Sequence, residues 1–192
     1  MPCREFFKSL PTGPDSRKRA SLISNEHPDG CCEKESVSEH SAGKVENAEH
    51  LFRFIFSPIH IEDDGRVNAA AFSDVQDKGL SCDRDANAEP STAIHERGSA
   101  QVNTHNQDNP DKEPRKYLGV VGALCEDIRT LPYDDGSKAF AVYDTAKADN
   151  PSHADVFQIT TKSPSQQKLL RKRLRDKFSQ IPLAPPSNVE AT

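Results

Sequence analysis

Leu51-Phe52-Arg53-Phe54-Ile55-Phe56-Ser57 is the stretch that decides the fold class. Phe52, Phe54 and Phe56 recur at every second position, while Arg53 and Ser57 fall between them. A period of two puts alternate side chains on opposite faces, and aromatic residues favour strands. The segment therefore predicts a half-buried strand, with order beginning near His50. Pro58 limits its continuation, although Ile59-His60-Ile61 can extend it past a bulge or an edge position. Asp63-Asp64-Gly65 is a turn signal. Val67 to Phe72 reads as a short strand or one helical turn, and Gly79 to Cys82 as another short strand.

Further along, Leu118 to Leu124 reads as a strand followed by less regular chain, because Gly119 and Gly122 weaken a helix there. Lys138 to Asp144 predicts a strand with Phe140, Val142 and Asp144 on one face. After the turn cluster Asp149-Asn150-Pro151-Ser152, His153 to Thr161 predicts one more. Ser163 suits a helix N-cap and Pro164 the first helical position. Leu170, Leu174, Phe178 and Ile181 then recur at helical steps as one apolar stripe, and Pro182 ends the helix.

Composition sets the frame around these elements. Leu, Ile, Val and Phe number 38 among 192 residues, near the border at which a chain struggles to offset its ordering entropy. They are unevenly spread. Residues 1–50 hold seven, residues 82–114 hold only Ile94 and Val102, and residues 184–192 hold one. The expectation is a disordered N-terminal arm at 1–50, a single domain at 51–183 with a polar insert at 82–114, and a disordered tail at 184–192. The insert is read as mobile or as carrying a short helix around Ser91–Gly98. The fold class is α+β: a small mixed or antiparallel sheet with a C-terminal amphipathic helix.

Bulk properties exclude a membrane-spanning protein, a coiled-coil rod and a large multidomain enzyme. No apolar run approaches the length of a membrane span, so no integral membrane association is expected. No apolar segment of signal-peptide type follows the start. The net charge of −5 is mild and names no partner. Five cysteines without a regular framework predict free thiols and a cytoplasmic location. Arg17-Lys18-Arg19-Ala20-Ser21 fits a kinase site or a localisation patch, or simply solvated charge.

Signatures of the best-known enzyme and cofactor classes are absent: there is no P-loop, GxSxG, HExxH, EF-hand loop, zinc-ribbon spacing or GxGxxG. The cofactor is thus left unknown. The most suggestive polar set is His60, Asp144, His153 and Asp155. The i, i+2 spacing of His153 and Asp155 puts both on one strand face, where they suit an acid–base pair or a divalent metal. Turn capping is the competing reading. Arg84 offers a bidentate fork for an anionic group or a surface ion pair. Cys82 and Cys125 are nucleophiles only where a basic neighbour lowers their pKa; otherwise they are buried fillers.

The sharpest electrostatic signal lies in the last helix. Lys168, Arg171, Lys172, Arg173, Arg175 and Lys177 stand against Asp176 alone, a net +5 within ten residues. Such a face suits a nucleic acid or an acidic protein surface, and equally a solvated helix end. The leading expectation is a non-enzymatic binding module that uses this helix. The alternatives are a small His/Asp-dependent hydrolase or phosphotransfer enzyme, metal-dependent in one form, and a scaffold that binds through its arm.

The order Arg53-Phe54-Ile55-Phe56-Ser57-Pro58-Ile59-His60, Ala71-Phe72, Gly79 to Arg84, Val142-Tyr143-Asp144 and Asn150 to Asp155 resembles small bacterial proteins of unassigned function, over roughly residues 51–180. The resemblance implies a bacterial cytosolic protein and carries no activity.

Overall fold

The computed structural model describes residues 2–40, 43–159 and 163–186. Its centre is one five-stranded sheet. The strands are β1 (His50–Ser57), β2 (Leu80–Asp85), β3 (Lys116–Leu124), β4 (Phe140–Asp144) and β5 (His153–Gln158). They lie in the order β3-β1-β2-β5-β4, and every neighbouring pair is antiparallel. The helices are α1 (Cys3–Ser9), α2 (Arg19–Glu26), α3 (Thr92–Asp108), α4 (Cys125–Arg129) and α5 (Pro164–Arg175).

Register assigns each side chain to a face, because directly opposed residues point the same way. Leu51, Leu80, Cys82, Val156 and Val142 belong to the back face. This is covered by Phe72 and Val75 of a 3-10 turn at Ala69–Gln76 and by Leu170 and Leu174 of α5, with Phe178 just beyond. The α5 start follows from sequence: Ser163 and Gln166 form a reciprocal capping box, with Pro164 at the first position. Ile181, predicted to belong to the stripe, is instead 72% exposed, because the helix stops at Arg175. Beyond it, Leu183 exchanges backbone hydrogen bonds with Val120 of β3. A Cβ on Gly119, at φ +120°, would collide with the Leu183 carbonyl, so that position requires glycine.

The front face differs from expectation in two places. Residues 82–114 are not an unstructured insert. β2 continues to Asp85, and α3 runs for 17 residues, well beyond the short helix considered at Ser91–Gly98. Ile94 and Val102 are buried on α3, together with Gly98 and His95 between them. Ile94 packs with Phe52 and Val120, flanked by Phe54 and Tyr117. Two strong apolar residues suffice because Gly98 lets the helix lie directly on the Tyr117 ring.

The second correction is the arm. Residues 3–34 form α1, a 3-10 segment at Gly13–Lys18, α2, and a 3-10 turn at Cys31–Lys34. Phe7, Leu10, Ala20, Ile23, Cys32 and Val37 bury themselves against Ala141, Tyr143, Phe157 and Ile159 of the sheet's other edge. Helices of seven and eight residues do not persist alone in water, and their stability comes from this docking. Composition averaged over 50 residues hides the fact that the few apolar ones converge. The tail beyond residue 186, the end of the predicted strand at residues 160 and 161, and residue 162 lie outside the described residues. After β3 the chain turns helical as α4 rather than irregular.

Candidate functional site

With α3 over one edge of the front face and the arm over the other, the middle is left to polar side chains. Ser81 and Asp83 of β2 oppose Asp155 and His153 of β5, so all four share the front face. β1 and β2 pair only over His50–Phe52, then diverge. Arg53 fills the opening, and its guanidinium donates to the Ser81 carbonyl at 3.0 Å. The resulting cleft has a volume of about 670 Å³. Arg97, Gln101 and Thr104 of α3 line one side, and Lys147 and Asn150 of the 145–152 loop another.

His153 is the best-placed group for chemistry. Its Nδ1 lies 2.9 Å from Thr145 Oγ1 and 3.1 Å from the Thr145 carbonyl oxygen. A carbonyl only accepts, so the network assigns the proton to Nδ1. Thr145 Oγ1 donates to Asp155 Oδ2 at 3.0 Å, and Ser81 Oγ donates to Asp155 Oδ1 at 3.2 Å. His153 Nε2 is buried with no hydrogen-bond partner, on a residue that lines the cleft. This is an oriented imidazole with its lone pair unclaimed, the arrangement a general base requires.

Asp83 is 2% exposed and fully engaged: Arg97 Nε donates to one oxygen at 2.7 Å, and Asn150 Nδ2 to the other at 2.7 Å. Asp74 is faced by Lys78 at 3.4 Å and Arg53 at 3.7 Å. Among the described residues, Arg115 and Lys147 line the cleft without an ion pair.

The predicted set is divided by the fold. His153 and Asp155 share the front face. Asp144 opposes Ala154 in the register, so it points to the back and cannot join them. Arg84 is also on the back face. Its guanidinium donates to both Glu49 oxygens at 2.7 Å and to the carbonyls of Gly43 and Lys44, and lies 3.5 Å from Asp144. That fork is spent on the protein itself, which removes Arg84 as a ligand clamp.

His60 lines the cleft, but its Nδ1 accepts the Phe56 N–H at 3.2 Å. Burial, then the charges of Arg53 and Arg115, lower its pKa to about 3, so it is neutral and acts as a backbone cap. Burial pushes the Cys82 thiol up, and that of Cys125 up to about 11. Neither is an activated nucleophile.

As a metal pair, His153 and Asp155 stand 3.9 Å apart, and both Asp155 oxygens already accept hydrogen bonds. Among the described residues no third His, Cys or carboxylate closes a metal cluster around them. On α5, Lys168 and Lys172 are exposed and Arg171 is half-buried. Arg173 is paired with Asp134 at 2.6 Å and Arg175 with Asp176 at 2.8 Å, which reduces the predicted basic face.

Sequence reasoning missed Thr145, Arg97, Arg115 and Lys147, which carry no motif and meet only through strand register and the placement of α3. It also missed a group in the arm, where Cys3 and Cys32 form a disulfide beside Cys31 and His27. The expected five free thiols are therefore three: Cys31, Cys82 and Cys125. Among the described residues no helix is long and apolar enough to cross a membrane. No protein-family model, curated protein or solved structure matches the chain.

Proposed function

We propose that the front-face cleft binds a phosphate-bearing small molecule, and that His153 acts on it as general base in a hydrolytic or phosphotransfer reaction. The observation that carries this reading is the buried, unclaimed Nε2 of His153, held in place by Thr145 and lining a cleft with unpaired Arg115 and Lys147. Two cations without protein partners match a dianionic phosphate ester. Asp155 positions the imidazole through Thr145 and stabilises its charged form. No metal is required of these residues. A cytoplasmic setting would accompany the reading only with the Cys3–Cys32 disulfide reduced, since a disulfide is uncommon in a reducing compartment.

The test pairs binding with turnover. Inorganic phosphate and a panel of nucleotides and sugar phosphates should raise the melting temperature, and an Arg115→Ala, Lys147→Ala double variant should abolish that shift. His153→Gln should keep ligand binding and lower turnover of any hydrolysed ester by about 10²–10⁴-fold. A wild-type protein that no phosphate compound stabilises would remove the proposal.

A second reading places a nucleic acid or an acidic protein on α5, favoured by the exposure of Lys168 and Lys172 one turn apart. Reversal of Arg171, Lys172 and Arg175 to Glu should then abolish salt-dependent binding to DNA or RNA without unfolding the chain. The scaffold reading would have to use an arm whose residues 3–34 pack on the sheet.

A further inference from the structure

Cys3, His27, Cys31 and Cys32 bring four ligand atoms to within 4.8 Å of one another. They come from three local devices. Cys3 opens α1, His27 follows the last turn of α2, and Cys31 and Cys32 open the 3-10 turn at Cys31–Lys34. Gly30, at φ +68°, reverses the chain between His27 and Cys31 and lets it pack close to Ala141. A disulfide joins Cys3 to Cys32. That bond accounts for only two members of the cluster. Cys31 remains a thiol, with its Sγ 3.4 Å from His27 Nδ1.

We propose that in the reduced chain these four residues form a tetrahedral zinc site of Cys3His type that staples the segments of the arm to one another. Three thiolates and one imidazole are a donor set that selects zinc over harder cations. For bond lengths near 2.3 Å to sulfur and 2.1 Å to nitrogen, a tetrahedral edge from S to N is about 3.6 Å. The separation between Cys31 and His27 already approaches it. Four protein ligands leave no open position, so the ion is structural. The chemistry balances in two steps. A dithiol reductant delivers two electrons and two protons to the Cys3–Cys32 disulfide, giving two thiols and becoming a disulfide itself. Zinc then forms three bonds to sulfur and one to His27 Nδ1, and the three thiol protons pass to solvent. The disulfide and the metal are thus alternative staples for the same three segments.

The test uses the full chain, fully reduced with a phosphine under inert gas, then given zinc and freed of excess. Metal analysis should find one zinc ion per chain. Cobalt in its place should show the intense visible and near-ultraviolet bands of a tetrahedral thiolate complex. Cys31→Ser should lower zinc affinity by about 100-fold, the share of one ligand in four. His27→Ala should do likewise, whereas Cys82→Ser should change nothing. Cys31 is outside the disulfide, so the oxidised Cys31→Ser chain should melt like the wild type, which separates ligand loss from misfolding. If the reduced wild type takes up no zinc, or Cys31→Ser binds it as tightly, the cluster is a disulfide with a neighbouring thiol and the proposal fails.

Discussion

His153 Nδ1 and Thr145 meet twice, at the threonine hydroxyl and at its carbonyl, and the same hydroxyl carries the connection on to Asp155. A carboxylate in contact with imidazole would be the ordinary way to orient a base. Here Asp155 Oδ1 stands 3.9 Å from Nε2, too far to hydrogen-bond, and the threonine hydroxyl links the two side chains, so the side chain at 145 fixes both. Thr145→Val keeps the shape and removes the hydroxyl. The buried Asp155 then loses one donor, which should cost about 1–3 kcal/mol of stability. Thr145→Ser should restore most of it. Chemical denaturation of the three proteins decides this, and a valine variant as stable as wild type would show that the relay does not hold the site.

Arg84 and Glu49 form a two-point pair with the Asp144 carboxylate beside it, and the Asp144 side chain is fully buried. Removal of the cation strands that charge. Arg84→Met should therefore destabilise the fold by about 3–5 kcal/mol. It should leave phosphate binding in the cleft unchanged under conditions where the variant is folded, because Arg84 faces the opposite side of the sheet. Loss of ligand affinity without loss of stability would return Arg84 to the binding site.

These two arginine and threonine networks show what a linear reading captures. Alternation of Phe52, Phe54 and Phe56 is written in the chain, and so is the shared face of His153 and Asp155, since both follow from the period of one strand. The separation of Asp144 from Asp155 is not, because it depends on Asp144 opposing Ala154 rather than its neighbour. A slip of one residue would have put the two carboxylates together. The same applies to the arm and α3. Their apolar residues are too few to announce a core, and they become one only when the sheet supplies the other half. Ser163-Pro164 was legible because a cap is a local device that needs no partner from elsewhere.

Gly98 offers a test in which two effects oppose each other. In an exposed helix, Gly→Ala gains about 1 kcal/mol. On α3 the new methyl would press into the Tyr117 ring, 2.8 Å from its hydroxyl, and Tyr117 is held by His95 Nδ1 at 3.0 Å. Overpacking of this kind costs about 1–3 kcal/mol. The second effect should win, and Gly98→Ala should lower stability by up to about 2 kcal/mol. A more stable variant would mean that the ring swings aside at little cost.

His60 makes the acid side of the stability curve predictable. Its folded pKa of about 3 lies below the ordinary 6.5, chiefly through burial and then through Arg53 and Arg115. Between those two values the unfolded chain binds a proton that the folded chain refuses, so stability is complete above about pH 6.5 and falls as the pH drops toward 3. One proton gives a slope of about 1.4 kcal/mol per pH unit. His60→Gln keeps an acceptor for the Phe56 N–H and has nothing to titrate. Urea denaturation from pH 7 to 4 should give the wild type a steeper loss than the variant, by about that slope. Parallel curves would show that His60 is protonated in the fold, and that the Phe56 N–H does not depend on it as an acceptor.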